Sequence, residues 1–237
     1  MVRLDKYVSD ALPCTRREAA ALVRARRVTV DGKTALSADE KIDETRAAVL
    51  LDGKPLVFRR YLYLMLNKPA GLVSATEDAR EKTVLSLLPD SFLTKGLFPA
   101  GRLDKDTTGL LILTNDGALA HRLLSPKYNK TKVYRVTARE PFRKADAEAL
   151  KNGVQLDDGM TRPAILEIDA DDPRVARLTL TEGRFHEVKR MCLALGNACL
   201  ALERVEFAGL ALDPELERGA WRRLAPEEVE ILTGKGD

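Results

Sequence analysis

The chain has 237 residues, of which 45% are hydrophobic and 32% charged, and its 39 basic and 36 acidic residues give a formal net charge of +3. This length can form one or two domains with a buried core, and the composition is that of a soluble globular protein. The apolar runs are too short to span a membrane, and the N-terminal stretch MVRLDKYVSD lacks the apolar core of a secretory signal. We therefore expect a cytoplasmic protein with no membrane partner.

The sequence offers little for a metal ion or a nucleotide cofactor. Cys14, Cys192 and Cys199 are not spaced as zinc ligands, and only His121 and His186 could join them. Glycine-rich phosphate-binding loops are also absent. These patterns predict reduced structural thiols, no metal site and no small-molecule cofactor.

The N-terminal region predicts two helices followed by short strands and turns. Apolar residues at helical spacing predict a helix from Leu4 to Leu12, which Pro13 would end. The stretches RRVTVDGK and AAVLLDGKPL each combine a strand pattern with an Asp-Gly turn. We therefore expect a compact helix-helix-hairpin unit that ends near Val57.

The second helix carries a group of basic residues. Thr15 can cap this helix together with Glu18, three residues later, which places Arg16 and Arg17 in the first turn. Cations are disfavoured at a helix N-terminus, so these two arginines require an external anion or a nearby acid. The basic residues between positions 16 and 33 are Arg16, Arg17, Arg24, Arg26, Arg27 and Lys33. A local basic face of this kind can bind phosphates although the whole chain is nearly neutral.

This order of elements resembles the S4 RNA-binding domain. The resemblance covers residues 2–50 and depends on the stretches RLDKYVSDAL and TRREAAALVRARRVTVDG. A charge run by itself would also suit a solvated surface, and the ordered motif is what favours RNA binding. The RNA contacts that the resemblance implies are Arg16, Arg17, Arg24, Arg27 and Lys33.

From the stretch FRRY at residues 58–61 onward, strand patterns outnumber helices. Strands are predicted at 61–66, 110–114, 132–137, 164–169, 176–181 and 199–207, and helices at 117–124, 144–152, 184–195 and 226–232. Because strands and helices do not alternate regularly, we expect an α+β domain with a mixed, mostly antiparallel sheet and flanking helices rather than a Rossmann-type domain. The predicted domains are 1–57 and 58–237.

A polar cluster, GRLDKDTTGL at residues 101–110, lies between apolar stretches, an arrangement that often presents functional groups. In an extended segment Arg102 and Asp104 project to the same side, so the arginine could keep the carboxylate ionised and could also meet a phosphate. On the cluster alone, Asp104 could instead cap the loop, or Asp104 and Asp106 could both serve a turn. A metal-dependent hydrolase that uses both aspartates would need further ligands, which the sequence does not supply.

The longer stretch GRLDKDTTGLLILTNDG closely resembles the signature of the RsuA family of ribosomal RNA pseudouridine synthases. Three companion motifs occur in the family's order: LNKPAGLVSA before it, and KVYRV and TEGRFHEVKRMCLALGNACLALERVEFAGLAL after it. The resemblance therefore covers nearly the whole chain. An S4 module combined with a short C-terminal part after ERGAWRRLAPEEVEIL is most similar to the family members that act on the small ribosomal subunit.

The resemblance implies an isomerase that converts a uridine of 16S rRNA, at position 516, to pseudouridine on a flipped-out nucleotide. Cofactors and metals are not required, because the reaction neither adds nor removes atoms. The implied substrate is ribosomal RNA in a partly assembled small-subunit particle, and the implied enzyme is a monomer. Two alternatives stay open: a large-subunit (23S) rRNA pseudouridine synthase of the same family, and a non-catalytic S4-type assembly factor.

The family motifs also imply four catalytic residues. Asp104 matches the nucleophile, Arg102 matches a residue that keeps it ionised and grips a phosphate, and Tyr134 matches a tyrosine that stacks on the flipped-out base. Lys189 matches a basic residue beside the aspartate. Asp104 could attack the ribose C1′ or could assist proton loss from C2′ to give a glycal, and the sequence does not choose between these routes.

Other interpretations of these residues stay open. Tyr134 could be a half-buried strand residue, Lys189 could lie on a solvated flank, and Arg190 could take the place of Lys189. Lys132 and Arg190 are the further predicted RNA contacts.

The predicted helix at 184–195 has one apolar face. Its expected members are Phe185, Val188, Cys192 and Leu195. His186 fits an RNA contact or a helix surface better than a general base, because no partner pattern surrounds it.

Overall fold

The structure is a computed structural model that describes residues 1–12, 14–58 and 61–234. Pro13, which was expected to end the first helix, lies outside the described residues, as do Arg59 and Arg60 of the FRRY stretch. The described residues form two compact units, one from 1–62 and 88–97 and the other from 63–87 and 98–234. The segment 88–97, predicted in the second domain, therefore packs with the first unit.

The first unit combines helices with short strands. Its elements are β1 (Val2–Arg3), α1 (Leu4–Ala11), α2 (Arg16–Arg24), β2 (Val28–Val30), β3 (Lys33–Thr34), β4 (Lys41–Ile42), β5 (Val49–Leu51), β6 (Lys54–Pro55) and α3 (Asp90–Leu93). Strands β3, β2, β5 and β6 lie side by side in an antiparallel sheet, and β1 pairs with β4. The predicted pair of helices followed by strand-turn repeats is confirmed.

Helix α2 begins at the predicted capping box. The amide of Thr15 donates to Glu18 Oε2 at 2.7 Å, and Thr15 Oγ1 accepts from the Glu18 amide at 3.3 Å. The acid that Arg16 requires is Asp5, whose two carboxylate oxygens accept from Arg16 Nη2 at 2.8 and 2.9 Å. This ion pair links α2 to the first turn of α1.

The segment 88–97 is attached to the end of α1. Lys95 Nζ donates to the carbonyl oxygens of Ser9 at 2.6 Å and Cys14 at 2.9 Å, and it lies 3.9 Å from a carboxylate oxygen of Asp10. Phe92 is 3% exposed. The lysine satisfies two carbonyl groups at the end of α1, and so it fastens this segment to the first unit.

The second unit contains one large sheet with helices against it. The strands of the unit are β7 (Tyr63–Lys68), β8 (Phe98–Pro99), β9 (Thr108–Thr114), β10 (Lys132–Ala138), β11 (Gln155–Leu156), β12 (Gly159–Met160), β13 (Ile165–Ile168), β14 (Val175–Leu180), β15 (Cys199–Phe207), β16 (Leu210–Ala211) and β17 (Trp221–Arg223). Of these, β11 and β12 form a separate two-stranded antiparallel sheet. The α-helices of the unit are α4 (Gly117–Leu124), α5 (Lys144–Asn152), α6 (Glu187–Ala194) and α7 (Pro226–Thr233), and two short 3₁₀ helices lie at Val84–Leu87 and Pro126–Tyr128.

The sheet order is β13-β14-β10-β15-β9-β7-β17, with β8 paired to β9 and β16 paired to β15. Neighbouring strands are antiparallel except β9 and β15, which are parallel. The predicted α+β domain with a mixed, mostly antiparallel sheet is confirmed. The additional strands β8, β11, β12, β16 and β17 are two or three residues long, too short to show a periodic pattern. None of the helices in the described ranges has the length and apolar character that a membrane crossing demands.

Helix α6 begins later than predicted. It starts at Glu187, because His186 has a left-handed backbone with φ of 49° and the preceding segment is not helical. Arg184 in that segment donates to the carbonyl oxygens of Gly159 at 3.2 Å and Met160 at 2.6 Å. Phe185 is 77% exposed and does not join the apolar face that was predicted for this helix.

The parallel contact between β9 and β15 requires a glycine. Gly109 lies opposite Arg204 with φ of +97°, and a Cβ atom at this position would lie 2.3 Å from the Arg204 carbonyl oxygen. Only glycine combines this backbone conformation with so close an approach. Because the loop 100–107 leads directly into β9, the contact also brings that loop beside β15.

We expect Gly109→Ala to lower the free energy of unfolding by about 3 kcal/mol or more, since the added methyl group meets main-chain atoms and the backbone is strained. Urea unfolding followed by circular dichroism measures this change. Gly117→Ala is the matched control, because nothing lies within 4 Å of its Cβ position at the start of α4 and its φ is not positive. Equal stability of the two variants would contradict the proposed role of Gly109.

Candidate active site

The loop at residues 100–107 is held by the buried ammonium group of Lys68, the last residue of β7. Lys68 has no solvent-exposed surface, and its Nζ donates to the carbonyl oxygens of Asp104 at 3.0 Å, Lys105 at 3.2 Å, Thr107 at 2.9 Å and Pro69 at 3.1 Å. Burial lowers the pKa of Lys68 to about 8, although nearby carboxylates favour its charged form. The loop is therefore shaped around one cation.

Two further residues of the stretch LNKPAGLVSA hold the same loop. Ser74 Oγ donates to the Leu103 carbonyl oxygen at 2.9 Å and accepts from the Leu103 amide at 3.1 Å. The amide of Gly71 donates to the Lys105 carbonyl oxygen at 2.7 Å. The motif that precedes the polar cluster in the sequence is thus its structural support.

Asp104 forms an ion pair with Lys189 of α6. Lys189 Nζ lies 2.9 Å from Asp104 Oδ2 and 2.6 Å from Asp106 Oδ1, and His186 Nε2 lies 3.7 Å from Asp104 Oδ1. Burial disfavours the charge of Lys189, but hydrogen bonds to Asp106 and Asp104 outweigh it and raise the pKa of this lysine. Lys189 is therefore a permanent positive charge beside the Asp104 carboxylate near neutral pH.

Arg102 and Arg190 are placed differently from the expectation. The ion pair expected between Arg102 and Asp104 is absent from the described residues, since the exposed Arg102 side chain makes no ion pair there and Lys189 is the cation of Asp104. Arg190 Nη2 bonds to the carboxylates of Asp157 and Asp158, on the side of α6 that faces the β11–β12 hairpin. Arg190 is thus not the residue that meets Asp104.

Tyr134 lies on β10 beside a buried arginine. It is 9% exposed and is directly opposite Arg204 of β15, which is 1% exposed. Burial raises the pKa of the Tyr134 hydroxyl, and the adjacent Arg204 guanidinium opposes that rise. Arg204 Nε donates to the Leu110 carbonyl oxygen at 2.8 Å, and its guanidinium lies 4.6 Å from the centre of the Phe207 ring. The phenol is therefore in its neutral form near neutral pH.

Two glutamates form an acidic pair in the wall of the site. Glu187, the first residue of α6, is 4% exposed and accepts from the Arg184 amide at 3.1 Å. Burial and a hydrogen bond with Glu182 raise the pKa of Glu187 to about 7. Near neutral pH the two carboxyl groups can therefore share one proton, while Arg184 Nε donates to Glu182 at 3.2 Å.

These residues line one cavity of about 800 Å³. Its wall includes Arg102, Asp104, Tyr134, Glu187 and Arg204. A volume of this size accommodates a flexible polar ligand, and the lining combines a carboxylate, an aromatic ring and buried cations. Among the residues that the structure describes, no group of three or more histidine, cysteine, aspartate or glutamate side chains could hold a metal ion.

Family models of known proteins match both parts of the chain. The family model for RNA pseudouridylate synthase matches residues 62–194, and the S4 domain model matches residues 2–45.

The chain belongs to the RNA pseudouridylate synthase family.

It is 44% identical over 234 residues to an uncharacterised RNA pseudouridine synthase, YtzG of Bacillus subtilis (strain 168), with 98% of each chain covered. It is 42% identical over 231 residues to ribosomal small subunit pseudouridine synthase A of Escherichia coli (strain K12), covering 96% of this chain and 98% of that protein. A crystal structure of a pseudouridylate synthase matches with a TM-score of 0.69 and 36% identity, covering 98% of this chain and 100% of the other.

The enzyme is an isomerase that converts uridine to pseudouridine, and the four predicted catalytic residues lie at or beside its cavity. Asp104 and Tyr134 line the cavity, and Lys189 touches Asp104 from α6. Arg102, an exposed residue, lines the same cavity. The catalytic roles of all four residues stay predictions.

The predicted RNA contacts of this pseudouridine synthase divide into three groups: those paired with acids, as Arg190 is, those that make no ion pair among the described residues, and one in the cavity wall. Arg16 is paired with Asp5, and Arg27 Nε donates to Asp52 Oδ1 at 3.0 Å. In the described part of the chain, the predicted contacts whose exposed side chains make no ion pair are Arg17, Arg24 and Lys33. Lys132, another predicted contact, is mostly buried in the cavity wall, and its Nζ lies 5.8 Å from the centre of the Phe207 ring.

Sequence reasoning missed three residues of the pseudouridine synthase site: Lys68, Glu187 and Arg204. A signal existed for Arg204, because it follows Leu202 by two residues along β15 and so lies on the same, inward face of the strand. Lys68 ends a run of buried strand residues. A lysine in such a position is a signal, because lysine is rarely buried unless its ammonium group has partners. Glu187 showed no signal, because it was assigned to the first turn of a helix predicted at 184–195, where an acidic residue is ordinary.

Replacing Lys68 with methionine should destabilise the second unit by about 3–5 kcal/mol, because several buried carbonyl groups lose their donor. Activity should fall as well, since the loop that carries Asp104 loses its support. Thermal unfolding and a turnover assay with RNA measure both effects. Lys144→Met, at the exposed start of α5, is the control and should change neither quantity. A fully active, stable Lys68→Met variant would exclude this role for the ammonium group.

The pH dependence of stability tests the acidic pair. The pKa of Glu187 rises from 4.5 to about 7 on folding, so its contribution to stability is fully present below about pH 4.5 and is lost as the pH rises through about 7. We expect Glu187→Gln, which stays neutral, to be more stable than the parent at pH 8 by on the order of 1–3 kcal/mol, and this gain should disappear by about pH 4.5.

Urea unfolding of both proteins from about pH 4.5 to 8 gives this difference. Glu148→Gln, on the exposed side of α5, serves as the control and should follow the parent at every pH. A difference between Glu187→Gln and the parent that does not vary with pH would show that folding does not raise the pKa of Glu187.

Proposed function

We propose that this enzyme converts a uridine of 16S rRNA in the small ribosomal subunit, at position 516, to pseudouridine, with Asp104 as the nucleophile. The observation that carries the proposal is the Asp104 carboxylate in contact with Lys189 at a cavity lined by Tyr134. The similarity to the Escherichia coli small-subunit enzyme over 96% of the chain supports the choice of substrate. The S4 domain supports an RNA substrate.

The reaction breaks the bond from N1 of uracil to C1′ of the ribose, rotates the base and forms a bond from C5 to C1′. The hydrogen at C5 is lost as a proton and N1 gains one, so the atoms and electrons balance without a co-substrate. A carboxylate oxygen of Asp104 attacks C1′ and is displaced again by C5. Lys189 orients the carboxylate through Oδ2 and leaves Oδ1 toward His186 and the cavity.

Tyr134 and Arg102 complete the proposed site. The buried Tyr134 ring provides a flat apolar surface on which uracil can stack, which is the usual way to hold an extruded base. The guanidinium of Arg102, an exposed residue, can bind a phosphate of the flipped-out nucleotide. The exposed cations Arg17, Arg24 and Lys33 of the first unit add phosphate contacts. We also propose that the enzyme acts as a cytoplasmic monomer on a partly assembled small-subunit particle.

Pseudouridine mapping in cells tests this function. Deleting the gene should remove one pseudouridine from 16S rRNA, at position 516, and none from 23S rRNA. A plasmid-borne copy of the parent gene should restore it, whereas Asp104→Asn should not. Asp171→Asn is the matched control, since Asp171 is exposed and does not line the cavity.

The same Asp104→Asn protein should still bind the rRNA while turnover falls by about 10³-fold or more. Turnover that persists in this variant would remove Asp104 from the nucleophile role. Loss of a pseudouridine from 23S rRNA in the deletion strain would instead identify a large-subunit enzyme. An unchanged map of both rRNAs, with tight rRNA binding by the parent protein, would identify a non-catalytic assembly factor.

A further inference from the structure

Two stacked aromatic side chains, Phe185 and His186, lie at the cavity with much of their surface exposed to solvent. The rings of Phe185 and His186 are 3.8 Å apart between centres and 19° from parallel. Phe185 is 77% exposed and the His186 side chain 41% exposed, and both line the cavity. Since His186 Nε2 lies 3.7 Å from Asp104 Oδ1, the stack extends from the catalytic carboxylate to the solvent.

The backbone that carries these rings is held in a strained conformation at His186. His186 has a left-handed conformation with φ of 49°, which a residue with a side chain adopts only when its surroundings impose it. Arg190 Nη1 donates to the Phe185 carbonyl oxygen at 3.0 Å, and Arg184 is tied to the carbonyl oxygens of Gly159 and Met160. Two anchored arginines therefore fix the main chain on both sides of an aromatic residue that gains almost nothing from burial.

We propose that Phe185 and His186 form a stacking subsite for the unpaired base that flanks the target uridine. The inference depends on the proposed function, in which the cavity holds the flipped-out uridine. A uridine that leaves the stack exposes the face of its neighbour, and the neighbour must lie at the cavity mouth because one phosphate joins the two nucleotides. Proteins commonly cover such a face with an aromatic ring.

The features of the stack favour a base over an apolar protein segment as the occupant. The two rings are nearly parallel and stacked, so each covers one face of the other and the stack offers a flat outer surface on which a further ring can stack, rather than a groove. The surface is continuous with the cavity, and Arg102 at the same cavity can take the phosphate that joins the two nucleotides. An RNA base with its phosphate matches both the flat face and the adjacent cation.

Steady-state kinetics on an rRNA fragment that contains the target uridine test the subsite. We expect Phe185→Leu, which keeps an apolar side chain but removes the flat face, to raise KM by about 5- to 50-fold and to change kcat much less. Phe185→Trp should keep the parental KM. His186→Asn tolerates the left-handed backbone without a stacking ring and should also raise KM. Leu193→Ala is the control, because Leu193 is 66% exposed on α6 and does not line the cavity.

Fluorescence of 2-aminopurine placed next to the target uridine reports stacking directly. In the Asp104→Asn background, where RNA binds without turnover, the fluorescence should be quenched when Phe185 is present and should rise in the Phe185→Leu variant. Equal fluorescence with and without the Phe185→Leu substitution would overturn the proposal, whether or not KM changes, because a change in KM alone would indicate a distortion of α6.

This readout requires only RNA binding and no turnover. The fluorescence therefore tests the stacking subsite alone. The enzymatic function is tested separately by the pseudouridine map. Unfolding temperatures of the Phe185 variants should equal that of the parent, as expected for a side chain that is mostly exposed.

Discussion

The arrangement of the active site depends on the buried positive charge of Lys68, a residue that does not line the cavity. The ammonium group of Lys68 is enclosed by main-chain carbonyl oxygens from the loop that carries Asp104. A buried cation is costly unless its protons are all accepted, so the loop must keep the shape that provides those acceptors. The position of the Asp104 backbone is therefore set from inside the protein, and its side chain is free to face the cavity.

The second constraint is the parallel contact of β9 and β15 through Gly109. It places the loop before β9 next to the strand that follows α6, so residues far apart in the chain meet as the Asp104–Lys189 pair. The same contact puts Arg204 on the inner face of β15, beside Tyr134 of the next strand. One close approach between two backbones thus aligns the carboxylate, the lysine and the tyrosine.

Much of the fold was predictable because its elements have local signals. The strand Cys199–Phe207 and the helices Gly117–Leu124 and Lys144–Asn152 have the predicted bounds, since their periodic patterns are complete. The start of α6 was not predictable, because contacts of Arg184 with a hairpin more than twenty residues away keep the chain from becoming helical earlier.

In the site, too, local sequence patterns were informative and contacts between distant residues were not predictable. The motif located Asp104, Tyr134 and Lys189, but no local pattern could show which cation pairs with Asp104 or that Arg16, Arg27 and Arg190 are paired with acids. Such pairs join residues that are distant in the chain, so they are decided by the tertiary structure. Charge counting along the sequence therefore overstated the number of cations that are free to bind RNA.

The segment 88–97 limits how this protein can be divided. The chain passes from the first unit to the second, returns for these residues and then leaves again, so the N-terminal unit is not a continuous piece of sequence. A fragment that stops before Tyr63 would lack Phe92 and the Lys95 ammonium group that satisfies carbonyl groups at the end of α1. A fragment meant to hold the whole first unit would therefore have to include residues 88–97 as well as the N-terminal stretch.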